Sequence, residues 1–276
     1  VVKPRALDLF CGAGGVSVGL QRAGFDVVGV DIAPMPHYRG GTFVQGDALT
    51  YPLGGFDFIW ASPPCQAHSS LRHLQARTGK TYPDLIPETR ARLVESGIPY
   101  CIENVEGAPL GASGFLLMLC GTMFGLQTPD GRAELRRHRL FEISWPIALR
   151  PACQHGHYGG ESLSVSGTGM GPGNRGKEAA MRRRSLSVTG RAVEISPSNW
   201  GRRPVISVVG KKGLPGLSDA RKQTRRRETF SVADARAAMG IDWMPMKYLS
   251  QAIPPAYAEW IGREALAEIK RGEVAA

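Results

Sequence analysis

The sequence predicts an α/β chain with a mostly parallel sheet, interrupted by a small, mainly β insert. Three observations carry that prediction. Short apolar runs alternate with stretches of helical spacing through residue 105. A glycine-rich turn, CGAGG (11–15), follows the first apolar run directly and precedes the first helical stretch. The composition changes at residue 151, becomes rich in Gly, Ser and Arg, and reverts near residue 230.

The elements follow in order. RALDLF (5–10) is a short apolar strand. VSVGLQRAG (16–24) places Val16, Leu20 and Ala23 at helical spacing, with Gly24 as the stop. FDVVGVDI (25–32), TFVQGDA (42–48) and FDFIWASPPC (56–65) read as the second, third and fourth strands. YPDLIPETRARLVESG (82–97) reads as a helix ending at Gly97, and PYCIENV (99–105) as the fifth strand. Within 151–230, the hexads SLSVSG (162–167), SLSVTG (185–190) and VISVVG (205–210) each alternate and end at a glycine, as a strand before a tight turn does. Three such hexads, unevenly spaced, do not make a solenoid. Helical spacing returns at FSVADARAAMG (230–240) and PAYAEWIGREALAEIK (255–270), which are expected to rejoin the first domain.

Composition narrows the class. The chain has 276 residues, 42% of them hydrophobic, enough for a sizeable core. No apolar stretch approaches the roughly 18–20 residues that span a membrane. VVKPRALDLF runs straight into a strand and leaves no room for a leader, so a soluble, intracellular chain is expected. The five cysteines (Cys11, Cys65, Cys101, Cys120 and Cys153) are odd in number and form no C-x-x-C pair, which fits a reducing compartment. CQHGH (153–157) invites a zinc reading, but four ligands at recognisable spacing are missing. A surface turn and no metal are expected there.

The charge is localised. Residues 151–230 hold 15 of the 34 Lys+Arg and 5 of the 24 Asp+Glu, so that segment carries the whole formal net charge of +10. A basic excess confined to one segment points to a polyanion such as nucleic acid, or else to a solvated basic loop.

The glycine-rich turn resembles a nucleotide loop. A dinucleotide fingerprint would use Gly12, Gly14 and position 17, but position 17 is Ser17. Asp31, at the end of the next strand, is placed to accept from ribose hydroxyls. Asp47 adds a carboxylate on the same edge that can accept from an adenine amino group. Each carboxylate singly reads as well as a cap. Together they favour a cofactor containing a nucleoside. In SPPCQ (62–66), two prolines stiffen the chain before a thiol at the end of an apolar strand, an arrangement suited to a nucleophile.

DLFCGAGG, VVGVDI, GDA, SPPCQ and IENV stand in the order and approximate spacing of the DNA (cytosine-5) methyltransferases. The resemblance extends to RRHRLFEI (136–143) and LSQAIPPAYAEWIG (249–262), so it brackets nearly the whole chain and leaves the basic segment as the variable part. It implies a Rossmann-like methyltransferase domain over 1–150 and 231–276, with a target-recognition domain at 151–230. The implied cofactor is S-adenosylmethionine and the implied partner duplex DNA, acted on by a monomer without membrane attachment. The implied setting is bacterial cytoplasm or a phage-infected cell, with a restriction endonuclease as a fitting companion.

Residue by residue, the resemblance implies that Phe10 lies near the adenine and that Gly12 and Gly14 pass close to the methionine part. Asp31 would hold the ribose and Asp47 the adenine amino group. Ile32, Ala48, Pro63, Gln251 and Ala252 complete the implied cofactor contacts. Cys65 matches the nucleophile, and Glu103 and Asn104 the Glu-Asn pair. Arg137 and Arg139 match two arginines, the second touching the cytosine carbonyl oxygen. The implied reaction adds a thiolate to cytosine carbon 6, assisted by a proton from Glu103 at ring nitrogen 3, and requires the base to be flipped out of the duplex. QAHSSLRHLQARTGKTYPD (66–84) reads as a loop able to close on DNA, or an ordinary surface loop.

Two stretches depart from the family pattern. Leu135 stands where glutamine precedes the paired arginines, and Ser250-Gln251 stands for Gly-Asn. Three other readings remain: the same chemistry on RNA such as tRNA, a dinucleotide-dependent dehydrogenase, and a catalytically inactive DNA-binding homologue.

Overall fold

The computed structural model describes residues 2–68, 82–131, 133–147, 149, 151–153, 185–187, 205–207 and 231–275. Five strands in parallel make most of its main sheet: β1 (Arg5–Leu9), β2 (Asp26–Asp31), β3 (Thr42–Gln45), β4 (Phe58–Ala61) and β5 (Tyr100–Asn104). Two further strands, β6 (Phe115–Leu119) and β8 (Arg139–Ile143), complete it in the order β3-β2-β1-β4-β5-β8-β6. β8 runs antiparallel to both β5 and β6.

Strands buried on both faces read as continuous apolar runs, and the central strand β4 does. All four residues of β4, Phe58 to Ala61, are fully buried. Alternate residues feed opposite cores. Ala6, Phe58, Trp60 and Phe141 pack with the helices α1 (Gly15–Ala23) and α5 (Pro255–Ala275). Leu7, Leu9, Ile59 and Ile102 pack on the other face with Leu93 of α2 (Ile86–Ser96). A third cluster joins Ala13 of the glycine-rich turn to α3 (Val232–Met239), α4 (Met246–Leu249) and Leu135 of the short strand β7 (Glu134–Leu135).

The contact of α1 with α5 depends on small residues. A methyl group built on Gly19 would lie 2.3 Å from the Pro255 carbonyl oxygen, and one on Gly262 would lie 2.8 Å from Ala23 Cβ. The C-terminal helix therefore rejoins the first half of the chain by direct backbone approach.

The boundaries differ from expectation for identifiable reasons. The helix expected at 82–97 starts at Ile86, where Asp84 accepts from the Ile86 amide at 3.0 Å, and ends before Gly97 at φ +65°. The third strand stops at Gln45, because Asp47 turns back to accept from the Leu49 amide at 2.9 Å. β6, β7 and β8 are additions to the expected set. β9 (Ser185–Ser187) and β10 (Val205–Ser207) fall in two of the three hexads and pair parallel with each other, while β10 also pairs parallel with β7. Parallel partners cannot be joined by a tight hairpin. The insert's short sheet thus includes a strand from outside 151–230. The hexad at 162–167 lies outside the described residues.

The chain leaves β3 at one edge and returns to pair β4 with β1, so the strand order reverses between β1 and β4. In open α/β sheets, ligands bind outside the carboxyl ends of strands at such a point.

Candidate active site

The carboxyl ends of β1, β2, β4 and β5 and the amino end of antiparallel β8 share that edge. Topology alone therefore brings together Phe10–Gly14, Asp31, Cys65, Glu103–Asn104 and Arg137–Arg139.

The glycine-rich turn has two working parts. Phe10, at the end of β1, is held at φ +60°, a conformation uncommon for a residue with a side chain. Gly12 has φ +51°, and a methyl group built on it would meet nothing within 4 Å, so this backbone faces open space. Gly14 is different: at φ +87° its added methyl would lie 1.8 Å from the Arg39 carbonyl oxygen. Gly14 is thus required by packing against the 39–40 segment. Ala13 is fixed from outside, its carbonyl accepting from Trp243 Nε1 at 2.8 Å. Ser17, where a third glycine was absent, is buried and donates to Asp8 at 2.5 Å. Burial lifts the Asp8 carboxyl to about 7.

Asp31 accepts from the Gly12 amide at 2.9 Å through Oδ2 and from the Ala33 amide at 3.0 Å through Oδ1. It ties the turn to the end of β2 and keeps acceptor capacity on both oxygens. Ile32 beside it is 72% exposed, an apolar platform at the sheet edge. Asp47 caps its own turn through Leu49. Ala48 is buried in the core, and its carbonyl accepts from Arg92 of α2 at 2.7 Å. An open glycine backbone, a neighbouring carboxylate and an exposed apolar side chain suit a nucleoside-containing cofactor; Ala48 presents a buried methyl group instead.

The thiol end is assembled by cross-links between loops. Cys65 opens a single 3-10 turn, Cys65–Ala67, directly after Pro63 and Pro64. Asn104 Nδ2 donates to the Pro63 carbonyl at 2.9 Å, while its Oδ1 accepts from the Val105 amide at 2.9 Å. Asn104 thus holds the proline pair to the end of β5. Glu103 is buried and pairs with Arg139 Nε at 3.2 Å. Burial raises the Glu103 carboxyl above its ordinary value, opposed by Arg139, Arg137 and a hydrogen bond with Ser62. Burial also raises the Cys65 thiol, Glu103 adds to the rise, and Arg139 and Arg137 oppose it. Both groups thus answer to the same two arginines, which marks one electrostatic unit.

Arg137 is buried and donates to the carbonyls of Ser250 at 3.0 Å and Ala252 at 2.9 Å, and its own carbonyl accepts from Tyr257 at 2.6 Å. It links the Ser250–Ala252 segment to the start of β8. The neighbouring Ile253 carbonyl would lie 2.5 Å from a methyl on Gly15, so this segment also flanks the glycine-rich turn. Gln251 itself is exposed. Leu135, in place of the expected glutamine, is fully buried in the third cluster.

Ser62 and Tyr257 were not singled out by sequence. Ser62 accepts from Trp60 Nε1 at 2.9 Å and shares a hydrogen bond with Glu103. Its place inside SPPCQ was the only available signal. Tyr257 lies inside LSQAIPPAYAEWIG, but its contact had no local signal, since its partner lies 120 residues away. His68 and Asp84, at the described ends of the polar 66–84 stretch, approach to 2.9 Å; residues 69–81 lie outside the described set.

Comparison with known proteins bears on the fold. No family model matches the chain, and no curated protein matches it. Among solved structures, the Entamoeba histolytica methyltransferase EhMeth is 12% identical, with 98% of this chain and 99% of that chain covered and a TM-score of 0.50. A candidate DNA modification methyltransferase encoded within an E. coli prophage is 17% identical over 97% of this chain and 99% of that one, with a TM-score of 0.49. The chain has the mostly parallel, Rossmann-like α/β fold.

Proposed function

We propose that this protein methylates carbon 5 of a flipped cytosine in duplex DNA. Residues 1–150 and 231–276 would form the catalytic domain, with 151–230 as the target-recognition domain. The observation that carries the reading is the convergence of Cys65, Glu103 and Arg139 at the switch-point edge, beside a glycine-rich turn open to a ligand.

Gly12, Asp31 and Ile32 would hold S-adenosylmethionine, with Phe10 and the Ser250–Ala252 segment flanking it. When bound, that cofactor supplies the electrophilic methyl group that carbon 5 accepts. The chain's own residues prepare the base. Cytosine carbon 5 is a weak nucleophile until a thiolate adds at carbon 6, and Cys65 is the thiol placed to add. Glu103, whose carboxyl burial raises, would take up the Cys65 proton as the base binds, donate to ring nitrogen 3 and make carbon 6 electrophilic. Arg139 lies against Glu103 and would hold the ring's carbonyl oxygen. Asn104 acts through the Pro63 carbonyl and positions Cys65. Loss of the carbon 5 proton to solvent, elimination of the Cys65 sulfur and return of the nitrogen 3 proton to Glu103 would then restore the aromatic ring.

The test uses tritiated S-adenosylmethionine and duplex DNA, followed by digestion to nucleosides. Label is expected in 5-methylcytosine. Label in N6-methyladenine, in N4-methylcytosine or only in an RNA substrate would overturn the reading. A 5-fluorocytosine duplex should trap a covalent adduct that Cys65→Ser abolishes; an adduct persisting in that variant would place the nucleophile elsewhere.

A further inference from the structure

Three residues from separate segments meet beside the candidate site. The Sγ atoms of Cys120 and Cys153 and a ring nitrogen of His138 all lie within 4.8 Å of one another. The sheet register explains how. Leu119 of β6 pairs with Arg139 of β8, so the next position on each strand brings Cys120 beside His138. Asn104 of β5 pairs with Leu140 of β8, so two positions further on Glu106 comes opposite His138 from the other flank. Cys153 approaches from the segment that leads into the basic region, with its Sγ 3.7 Å from His138 Nε2.

The donor chemistry and its support fit one class of ligand. Tetrahedral zinc, with metal–sulfur bonds of about 2.3 Å and metal–nitrogen bonds of about 2.0–2.1 Å, separates neighbouring sulfur and nitrogen ligands by roughly 3.5 Å. Thiolate and imidazole together favour zinc over the hard cations. His138 Nδ1 lies 2.8 Å from Glu106 Oε1. A carboxylate on one ring nitrogen turns the other towards a metal and fixes the tautomer, the usual outer support of a metal-bound histidine. Thr122 donates to Cys120 Sγ at 3.5 Å, a hydrogen bond that favours a thiolate there.

We propose that Cys120, His138 and Cys153 bind a zinc ion, with Glu106 orienting the imidazole. The ion is a structural clamp. It joins the end of β6 and the amino end of β8, which carries Arg137 and Arg139, to the start of the basic segment. Water or a further side chain completes the tetrahedron. The site draws on nothing in the proposed methyl transfer, so the two stand or fall separately.

The full chain, loaded with excess zinc and freed of unbound metal, is expected to retain about one zinc per chain by elemental analysis. Cobalt loading should give the intense visible bands of a tetrahedral site and a thiolate charge-transfer band. Cys120→Ser and Cys153→Ser should each lower retained metal at least tenfold, while Cys65→Ser retains it. A measurement on the unaltered protein guards against misfolded variants: Cys153 should resist alkylation in the zinc-loaded protein and react after a chelator is added, by peptide mass spectrometry. Retention of less than a tenth of an equivalent, alkylation of Cys153 indifferent to chelator, or a Cys120–Cys153 disulfide in the freshly isolated protein would overturn the proposal.

Discussion

Cys65 and Glu103 must divide a single proton in the proposed chemistry, which needs a thiolate on the first and a proton on the second. Burial raises both groups, and the Glu103 charge raises the thiol further. With the thiol raised from an already high value, the resting proton sits on sulfur at neutral pH. Base binding must therefore invert the pair, with Arg139 and Arg137 supplying the positive field that favours the thiolate. Glu103→Gln keeps a hydrogen-bonding group but removes the charge that helps to raise the thiol. The pKa of Cys65 is then expected to fall, moving the pH profile of its alkylation by iodoacetamide to lower pH. Methyl transfer should drop by roughly 10²–10⁴-fold, because the proton at ring nitrogen 3 is lost. An unmoved or upward alkylation profile would show that Glu103 does not act on this thiol.

β8 is the element that holds the edge together, because it carries Arg139 at one end and Glu142 near the other. Glu142 is fully buried and receives Arg90 of α2 in a two-point contact, with Nε to Oε1 and Nη2 to Oε2 both at 2.9 Å. The Gly111 amide adds a hydrogen bond at 2.6 Å. Burial would raise this carboxyl, but Arg90 and the backbone donors outweigh it and hold it below the ordinary 4.5. The pair's contribution to stability is therefore complete above about 4.5 and is lost as the pH falls through the lower folded-state value. Glu142→Gln should cost about 3 kcal/mol at pH 7 in urea unfolding, and its deficit relative to the parent should hold down to about pH 4.5 and shrink only at lower pH. On the opposite face, Gly19→Ala should cost about 1–3 kcal/mol, because α1 must move off the Pro255 carbonyl. A neutral Gly19→Ala would mean that the helices separate freely. The central parallel strands β1, β4 and β5 were legible because buried apolar runs leave a local signal. β8 was not: RLFEI alternates weakly, and its buried Glu142 is balanced by a partner 52 residues away. Glycines read as a ligand loop likewise divided, Gly12 facing open space and Gly14 serving packing, a distinction that local sequence does not carry.

Across the whole molecule, the proposed chemistry and the charge occupy different stretches of chain. Cys65, Asp31 and Gly12 could be picked out from sequence because each follows or ends a strand of the parallel sheet, whereas Glu103 was reached only through the resemblance carried by IENV. The Cys120–His138–Cys153 cluster could not, since its members belong to three segments, two brought together by the pairing of β6 with β8 and the third by the segment after β8. Outside 151–230 the acidic and basic residues balance, so the whole formal excess of positive charge lies in that segment. If it grips duplex DNA through the phosphates, binding releases condensed counterions. The logarithm of the association constant should then fall linearly with the logarithm of salt concentration, by roughly 0.9 per phosphate contacted. Six or more contacts among the 15 basic side chains of the segment would weaken binding by about 10³-fold or more between roughly 50 and 200 mM salt. Replacing Arg225, Arg226 and Arg227 together by glutamine should flatten the slope by up to about 2.7 if all three meet phosphates. The same variant should leave the alkylation profile of Cys65 unchanged, because that thiol is governed by Glu103, Arg137 and Arg139. Fluorescence anisotropy of a labelled duplex across a salt series reads the slope directly. A salt-independent affinity would remove the basic segment from the DNA interface and leave duplex recognition without its main source of attraction.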